Sequence, residues 1–271
     1  MHTTRERARR ARLSAARRLA TFATAVALSF VWAPAGRAST PEEAIAAGDQ
    51  HYAAGRLADA RSAYAEAVKA APTLALASCR LSRAESELGE TQKGDAQRLM
   101  WAEAVKHARD ALRLAPDSAA PHVWLAVALG RQALREGPRT RLALSKEIKS
   151  EADRALALDP GSGRAWHVLA VWNMRVASLN AMERMAANAV LGGVPKGASH
   201  DNAERAFQKA IELEPAYVNH RVEYGRLLKE LRRPADARRE LEKALELQPT
   251  SSALDARYQA EARALLEKLP R

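Results

Sequence analysis

From about residue 41 to residue 268, apolar positions recur at the i, i+3, i+4 and i+7 spacing of helices with one buried stripe. No stretch alternates apolar and polar residues at period two, so no sheet is expected. Prolines at 72, 116, 160, 215 and 249 each follow a helical stretch, and a proline cannot continue a helix. The intervals between them are 44, 44, 55 and 34 residues. The last interval, Ala216–Pro249, reads as two helices joined by a short turn. Small residues hold fixed places in it: Gly225 after Tyr224, then Ala237 and Ala244 either side of Leu241. Small side chains at such places let two helices cross closely.

A helix–turn–helix unit of about 34 residues with small residues at fixed offsets is the tetratricopeptide pattern. Counting back from Pro215 puts Ala203, Phe207 and Ala210 in the same slots, and counting forward from Pro160 puts Trp166 and Leu169 in first-helix slots. Ala47-Gly48, Gly55, Ala60, Tyr64, Ala67 and Pro72 make a full first unit. The predicted fold is therefore an all-α tetratricopeptide-repeat solenoid of about five helix pairs over residues 39–271. The repeats fall near 41–74, 75–118, 119–162, 163–217 and 218–251, with a capping helix within 252–268. The second, third and fourth exceed 34 residues by 10, 10 and 21. The third is expected to pair 119–136 with 143–158 across Gly137–Thr140. The fourth is expected to pair 163–179 with 201–213, with 180–191 as an inserted or continuing helix. Ser252 and Asp255 cap the last helix, which covers the final apolar face of the stack.

Thr40, Pro41 and Glu43 form a capping box with proline in the first helical position, so the fold starts just after Ala38. Residues 1–38 have another character. Seven arginines precede residue 19, an apolar run follows over 19–35, and small-residue sites end at Ala35 and Ala38. That order is expected to be a secretory signal peptide. The run is shorter than the roughly 20 residues that span a bilayer, although an uncleaved N-terminal anchor is the alternative. The expected location is outside the cytoplasm, in the periplasm or cell envelope.

The leader changes how the charge is read. The whole chain carries +11, but residues 1–38 hold eight Arg and one Glu, leaving +4 from 35 basic and 31 acidic residues. The basic balance therefore gives no argument for nucleic acid. The lone Cys79 makes no internal disulfide and fits a small buried side chain. The seven histidines are scattered, and neither HExxH, GxSxG nor a P-loop is present. No catalytic residue, metal or cofactor is expected.

The first helix of each pair lines the inner face of such a solenoid. There the frame places Arg83, Arg131, His167, Arg175, Asn219, Arg226 and Lys229. A cationic stripe of this kind suits an acidic peptide or protein partner, a carboxylate, or an anionic lipid head group. The inserted stretch carries Met182, Met185 and Leu191 on an apolar face. Its expected place is as core, folded back on the fourth repeat; a surface for a ligand is the alternative. Residues 131–149 hold six basic residues against two acidic ones, a solvated hairpin or a contact for an anionic membrane.

The order Trp172, Val176-Ala177-Ser178-Leu179, Arg184, Ala187, Leu191-Gly192, Pro195, Phe207, Lys209-Ala210 and Glu214-Pro215 resembles the tetratricopeptide domain of the regulator of microtubule dynamics family. The likeness is best over residues 166–249. Some relatives are linked to microtubules, others to membrane contacts and lipid handling. The resemblance thus implies a non-catalytic protein-binding or scaffolding module, or a carrier of a lipid or amphipathic ligand beside the fourth-repeat insert.

Exported protein is expected to begin at Ser39 or a few residues upstream. Intact-mass measurement checks this, and retention of Met1 would overturn cleavage.

Overall fold

In the computed structural model, Thr40 starts the first helix. Its hydroxyl accepts from the Glu43 amide at 3.2 Å, and its own amide donates to Glu43 Oε2 at 2.9 Å. The structure describes residues 40–191, 193–249 and 252–270, without the side chains of Ala186, Ala189, Val190 and Leu191. The expected signal peptide, residues 1–38, and the side-chain role expected of Leu191 lie outside the described residues. Residues 39–271 pack as a compact unit of their own.

Among the described residues there are twelve α-helices and no strand. They are α1 Pro41–Ala53, α2 Leu57–Ala70, α3 Ala75–Thr91, α4 Gly94–Leu114, α5 Ala119–Ala133 and α6 Pro138–Leu158. Then come α7 Gly163–Ala177, α8 Ala181–Leu191, α9 His200–Leu213, α10 Val218–Glu230, α11 Pro234–Glu246 and α12 Asp255–Leu266. The antiparallel pairs are α1/α2, α3/α4, α5/α6, α7/α9 and α10/α11, with α12 packed on the last pair. First helices α1, α3, α5, α7 and α10 touch in succession, so they form the inner layer. This is the expected repeat solenoid.

Close crossings explain the small residues. A Cβ added to Gly48 would lie 2.4 Å from the Tyr64 ring, and one added to Gly225 would lie 2.8 Å from Leu241. In each case a large side chain of the second helix fills the notch left by a glycine of the first. Ala203, Ala210, Ala237 and Ala244 are fully buried at equivalent contacts. Cys79 is buried and free, and burial pushes its thiol up to about 11.

Two expectations need correction. Helix α6 starts at Pro138, not near 143, because Pro138 sits in the first turn, where its missing amide costs no hydrogen bond. The insert is a separate helix whose two methionines are not core as expected, although Ala187 is buried. Asn180 breaks it from α7 with a reciprocal cap: its amide donates to Glu183 Oε2 and its Oδ1 accepts from the Glu183 amide, both at 2.9 Å. Arg184 ties the start of α8 to the end of α7, donating to the carbonyls of Val176, Ala177 and Leu179. The helix then leans on α6. Met182 and Met185 remain 75% and 68% exposed.

Ala210→Trp and Ala244→Trp should each overpack a helix crossing and cost about 1–3 kcal/mol or more. Chemical denaturation of residues 39–271 checks this; two variants that unfold with the parent would disprove the repeat frame.

Candidate functional site

The inner layer is closed at its centre by paired charges. Glu87, only 4% exposed, accepts from the Tyr52 hydroxyl at 2.6 Å and from the Ser252 hydroxyl at 3.4 Å. Glu90 is ion-paired with Arg131 and accepts from the Tyr258 hydroxyl at 3.1 Å. Burial pushes the Glu90 carboxyl up, with Arg131 opposing. Glu214 accepts from the amide and the guanidinium of Arg164, both at 2.9 Å, and Arg164 lies 3.5 Å over the Tyr217 ring. These carboxylates and tyrosines were not among the residues predicted to line the groove. On a helix, each reads as ordinary solvated surface, and their partners are remote in sequence.

The predicted groove residues divide. Arg83 stacks 3.6 Å over Tyr52 and stands 3.9 Å from Glu87, so it is held within the centre. Arg226 is tied to Glu261 at 2.8 Å and Glu223 at 3.2 Å. Lys229 is exposed on α10. Arg131, His167, Arg175 and Asn219 come together along one cleft between the third and fourth repeats, with a volume of about 720 Å³.

The cleft has apolar walls and a charged margin. Val127 of α5, Leu142 and Ile148 of α6, and Val168, Val171 and Trp172 of α7 line it, with Met182 of α8 at one side. Trp172 is fixed by its indole N–H, which donates to the Ser145 carbonyl at 2.8 Å. Arg131, Arg139, Arg141 and Arg175 face Glu183 and Glu223, an excess of two positive charges with histidine neutral. Burial and the like charges of Arg131, Arg141 and Arg226 push the Arg175 guanidinium down, while Glu223 opposes them, although its tip reaches solvent. Arg131, His167 and Asn219 also border a cavity of about 40 Å³ that reaches the paired charges at the centre. Asn219 is 4% exposed, and its amide oxygen has no partner among the described residues. Met185 does not line the cleft. Among the described residues no three His, Cys, Asp or Glu side chains are grouped to hold a metal.

The family model of regulator of microtubule dynamics protein 1-3 matches residues 44–270. Regulator of microtubule dynamics protein 3 of Rattus norvegicus is 31% identical over 182 residues, 66% of this chain and 38% of the rat protein. The chain thus spans well under half the length of that relative. Regulator of microtubule dynamics protein 1 of Caenorhabditis elegans is 28% identical over 189 residues, 70% of this chain and 83% of the worm protein. Among solved structures, a thermophilic tetratricopeptide-repeat protein of Thermus thermophilus superposes with a TM-score of 0.60 at 20% identity, covering 82% of this chain and 98% of that one. The type IV pilus biogenesis factor PilW gives 0.51 at 17% identity, covering 84% and 92%. These two show the fold. The chain belongs to the regulator of microtubule dynamics family, as a helical-repeat interaction module.

The histidines beside the cleft predict a pH response. His167 and His220 bring their Nδ1 atoms to 3.0 Å, so one ring donates and the other accepts. Burial pushes His220 below its usual 6.5, and burial with His220, Arg164 and Arg131 pushes His167 well below it. Folding therefore keeps both rings neutral, while the unfolded chain takes up protons near pH 6.5; their contribution is present above that pH and lost as pH falls below it. Burial works against the Glu214 carboxylate, but the amide and guanidinium of Arg164, both at 2.9 Å, hold it down to about 2. Its contribution is lost only between its usual 4.5 and about 2. The melting temperature of residues 39–271 should fall in two separate windows. The first fall should shrink in His167→Gln; an unchanged first fall would remove the pair as its cause.

Proposed function

We propose that this member of the family is a non-catalytic binding module of the cell envelope whose cleft holds a lipid or comparable amphiphile with an anionic end. The cleft itself carries the reading: its volume of about 720 Å³ and its aliphatic walls with a few convergent polar groups match small-ligand sites. Each methylene moved from water onto such walls contributes about 0.8 kcal/mol, so a chain of modest length supplies most of the affinity. The arginines then select the charge of the head, and Asn219 offers a buried amide at the inner end. Export follows from the expected leader, which directs the chain away from the microtubules in its relatives' name.

An acidic peptide or protein along the inner face is the second reading. Exposed Arg175 and Lys229 favour it. Against a continuous stripe, Arg83, Arg131 and Arg226 already face carboxylates of the protein itself.

Residues 39–271 recovered from the envelope should carry an extractable amphiphile, seen by mass spectrometry, and should bind a fluorescent fatty acid. Val171→Trp fills the cleft and should weaken that binding about ten-fold or more, with helix content unchanged by circular dichroism. Arg175→Ala removes a charge-assisted contact and should weaken it by about 1.5 kcal/mol. Ligand-free protein that binds an acidic partner in a salt-sensitive, Arg175-dependent way would replace this reading with the second.

A further inference from the structure

We infer that the mouth of the cleft is a docking surface for an anionic lipid bilayer, with Met182, Met185 and Leu134 entering the interface and Arg135, Arg139, Arg141 and Arg175 contacting the head groups. The surface gains its use from the cleft reading above, since it would set the opening against a source of amphiphile. Its own support is separate from what the cleft holds.

The apolar part comes first. Met182 and Met185 lie one turn apart on α8 and are 75% and 68% exposed, and Leu134 at the end of α5 is 40% exposed. Leu134 and Met182 both border the opening. Side chains of this size are normally covered in a folded protein, and uncovered ones beside an opening mark a contact surface. Methionine suits a fluid contact because its unbranched chain adapts to what it meets.

The charges choose the partner. Elsewhere arginines are largely neutralised by the protein's own carboxylates: Arg61 by Glu85, Arg164 by Glu214, Arg221 by Glu240. Arg139 and Arg175 at the mouth, and exposed Arg135 beside Leu134 in the chain, have no carboxylate within ion-pair distance among the described residues. Arg141 donates to the carbonyls of Ala133 and Glu136, which anchors its side chain, and forms no ion pair among the described residues. Of the nearby acids, Glu183 is engaged at the start of α8 and Glu223 is ion-paired with Arg226 at 3.2 Å. Three uncovered apolar side chains beside four arginines without an ion pair complement a surface that is apolar inside and anionic at the head groups. They fit a second protein chain poorly. Three side chains cover roughly a few hundred Å², while a stable protein interface buries about 800 Å² on each side.

The test uses residues 39–271, so that the apolar leader plays no part, with vesicles of equal parts phosphatidylglycerol and phosphatidylcholine. The protein should co-sediment with these, and pure phosphatidylcholine vesicles should bind it at least about ten-fold less. Added salt should weaken binding. Arg135→Ala and Arg139→Ala should each weaken it about five-fold. Met182→Asp with Met185→Asp should weaken it more than ten-fold, by roughly the loss of two apolar insertions, with an unchanged melting curve because both side chains are exposed. Equal binding to both vesicle types, no binding at all, or binding indifferent to these variants would overturn the proposal. So would a parent that elutes as a dimer and becomes a monomer in the methionine double variant, since a second copy would then own the patch. Val171→Trp separates the two readings. If it loses the amphiphile yet still docks, the docking surface stands by itself. Protein that carries an amphiphile but never sediments with anionic vesicles keeps the cleft reading and loses this one.

Discussion

Two buried carboxylates, Glu87 and Glu90, tie remote parts of the fold together. They lie one turn apart on the inner side of α3, and a carboxylate taken from water costs several kcal/mol unless partners replace its solvation. The partners come from far along the chain: Tyr52 from the first repeat, Arg131 from the third, and Ser252 and Tyr258 from the C-terminal segment. A simple solenoid is held by neighbour contacts alone. Here the C-terminal segment must sit where the hydroxyls of Ser252 and Tyr258 reach the second repeat, so remote repeats are coupled. Removing a partner strips a buried carboxylate of part of what replaces its solvation, which costs more than the contact itself contributes.

That coupling also explains which parts of the fold can be read from residue order. Proline positions, the Thr40 capping box and the small residues at crossings are local signals, and they locate ten paired helices and the cap. Ala203, Phe207 and Ala210 are fully buried because a repeat frame needs them so. The central network is not local. Ser252 and Tyr258 reach carboxylates 165 and 168 residues away, and nothing in either segment announces the meeting. The frame did find four residues that share the cleft, Arg131, His167, Arg175 and Asn219, because first-helix positions face inward whatever their partners are. It did not distinguish the consumed cation Arg83 from the solvent-reaching cation Arg175, since that depends on carboxylates outside the frame.

The start of α6 was hidden for a related reason. Gly137-Pro138 is turn chemistry in isolation, yet a proline is equally at home in the first turn of a helix. Only the neighbouring elements decide between the two. The insert was misplaced because a helix with several apolar residues is ordinarily core. Asn180 and Arg184 hold it away from that role: one ends α7 by capping α8, the other spends its guanidinium on the exposed carbonyls of α7.

The cleft arises from a mismatch in helix length. The regular pairs match closely, with 13 and 14 residues in α1 and α2 and 13 each in α10 and α11. In the third repeat, α5 has 15 residues and α6 has 21. The longer α6 thus meets the fourth repeat as well as its partner: Ile148 packs in one cluster with Leu125 and Leu129 of α5 and with Trp172 of α7. Leu142 and Ile148 need cover, and the fourth repeat supplies it from α7 and, loosely, from α8. A second helix of ordinary length would leave no wall to stand opposite Trp172, and an insert packed as core would close the opening. The same long helix starts at Pro138, which places Arg139 and Arg141 at the rim, where Arg141 binds the carbonyls at the end of α5. The apolar pocket and its cationic margin are thus two consequences of one insertion into a 34-residue pattern.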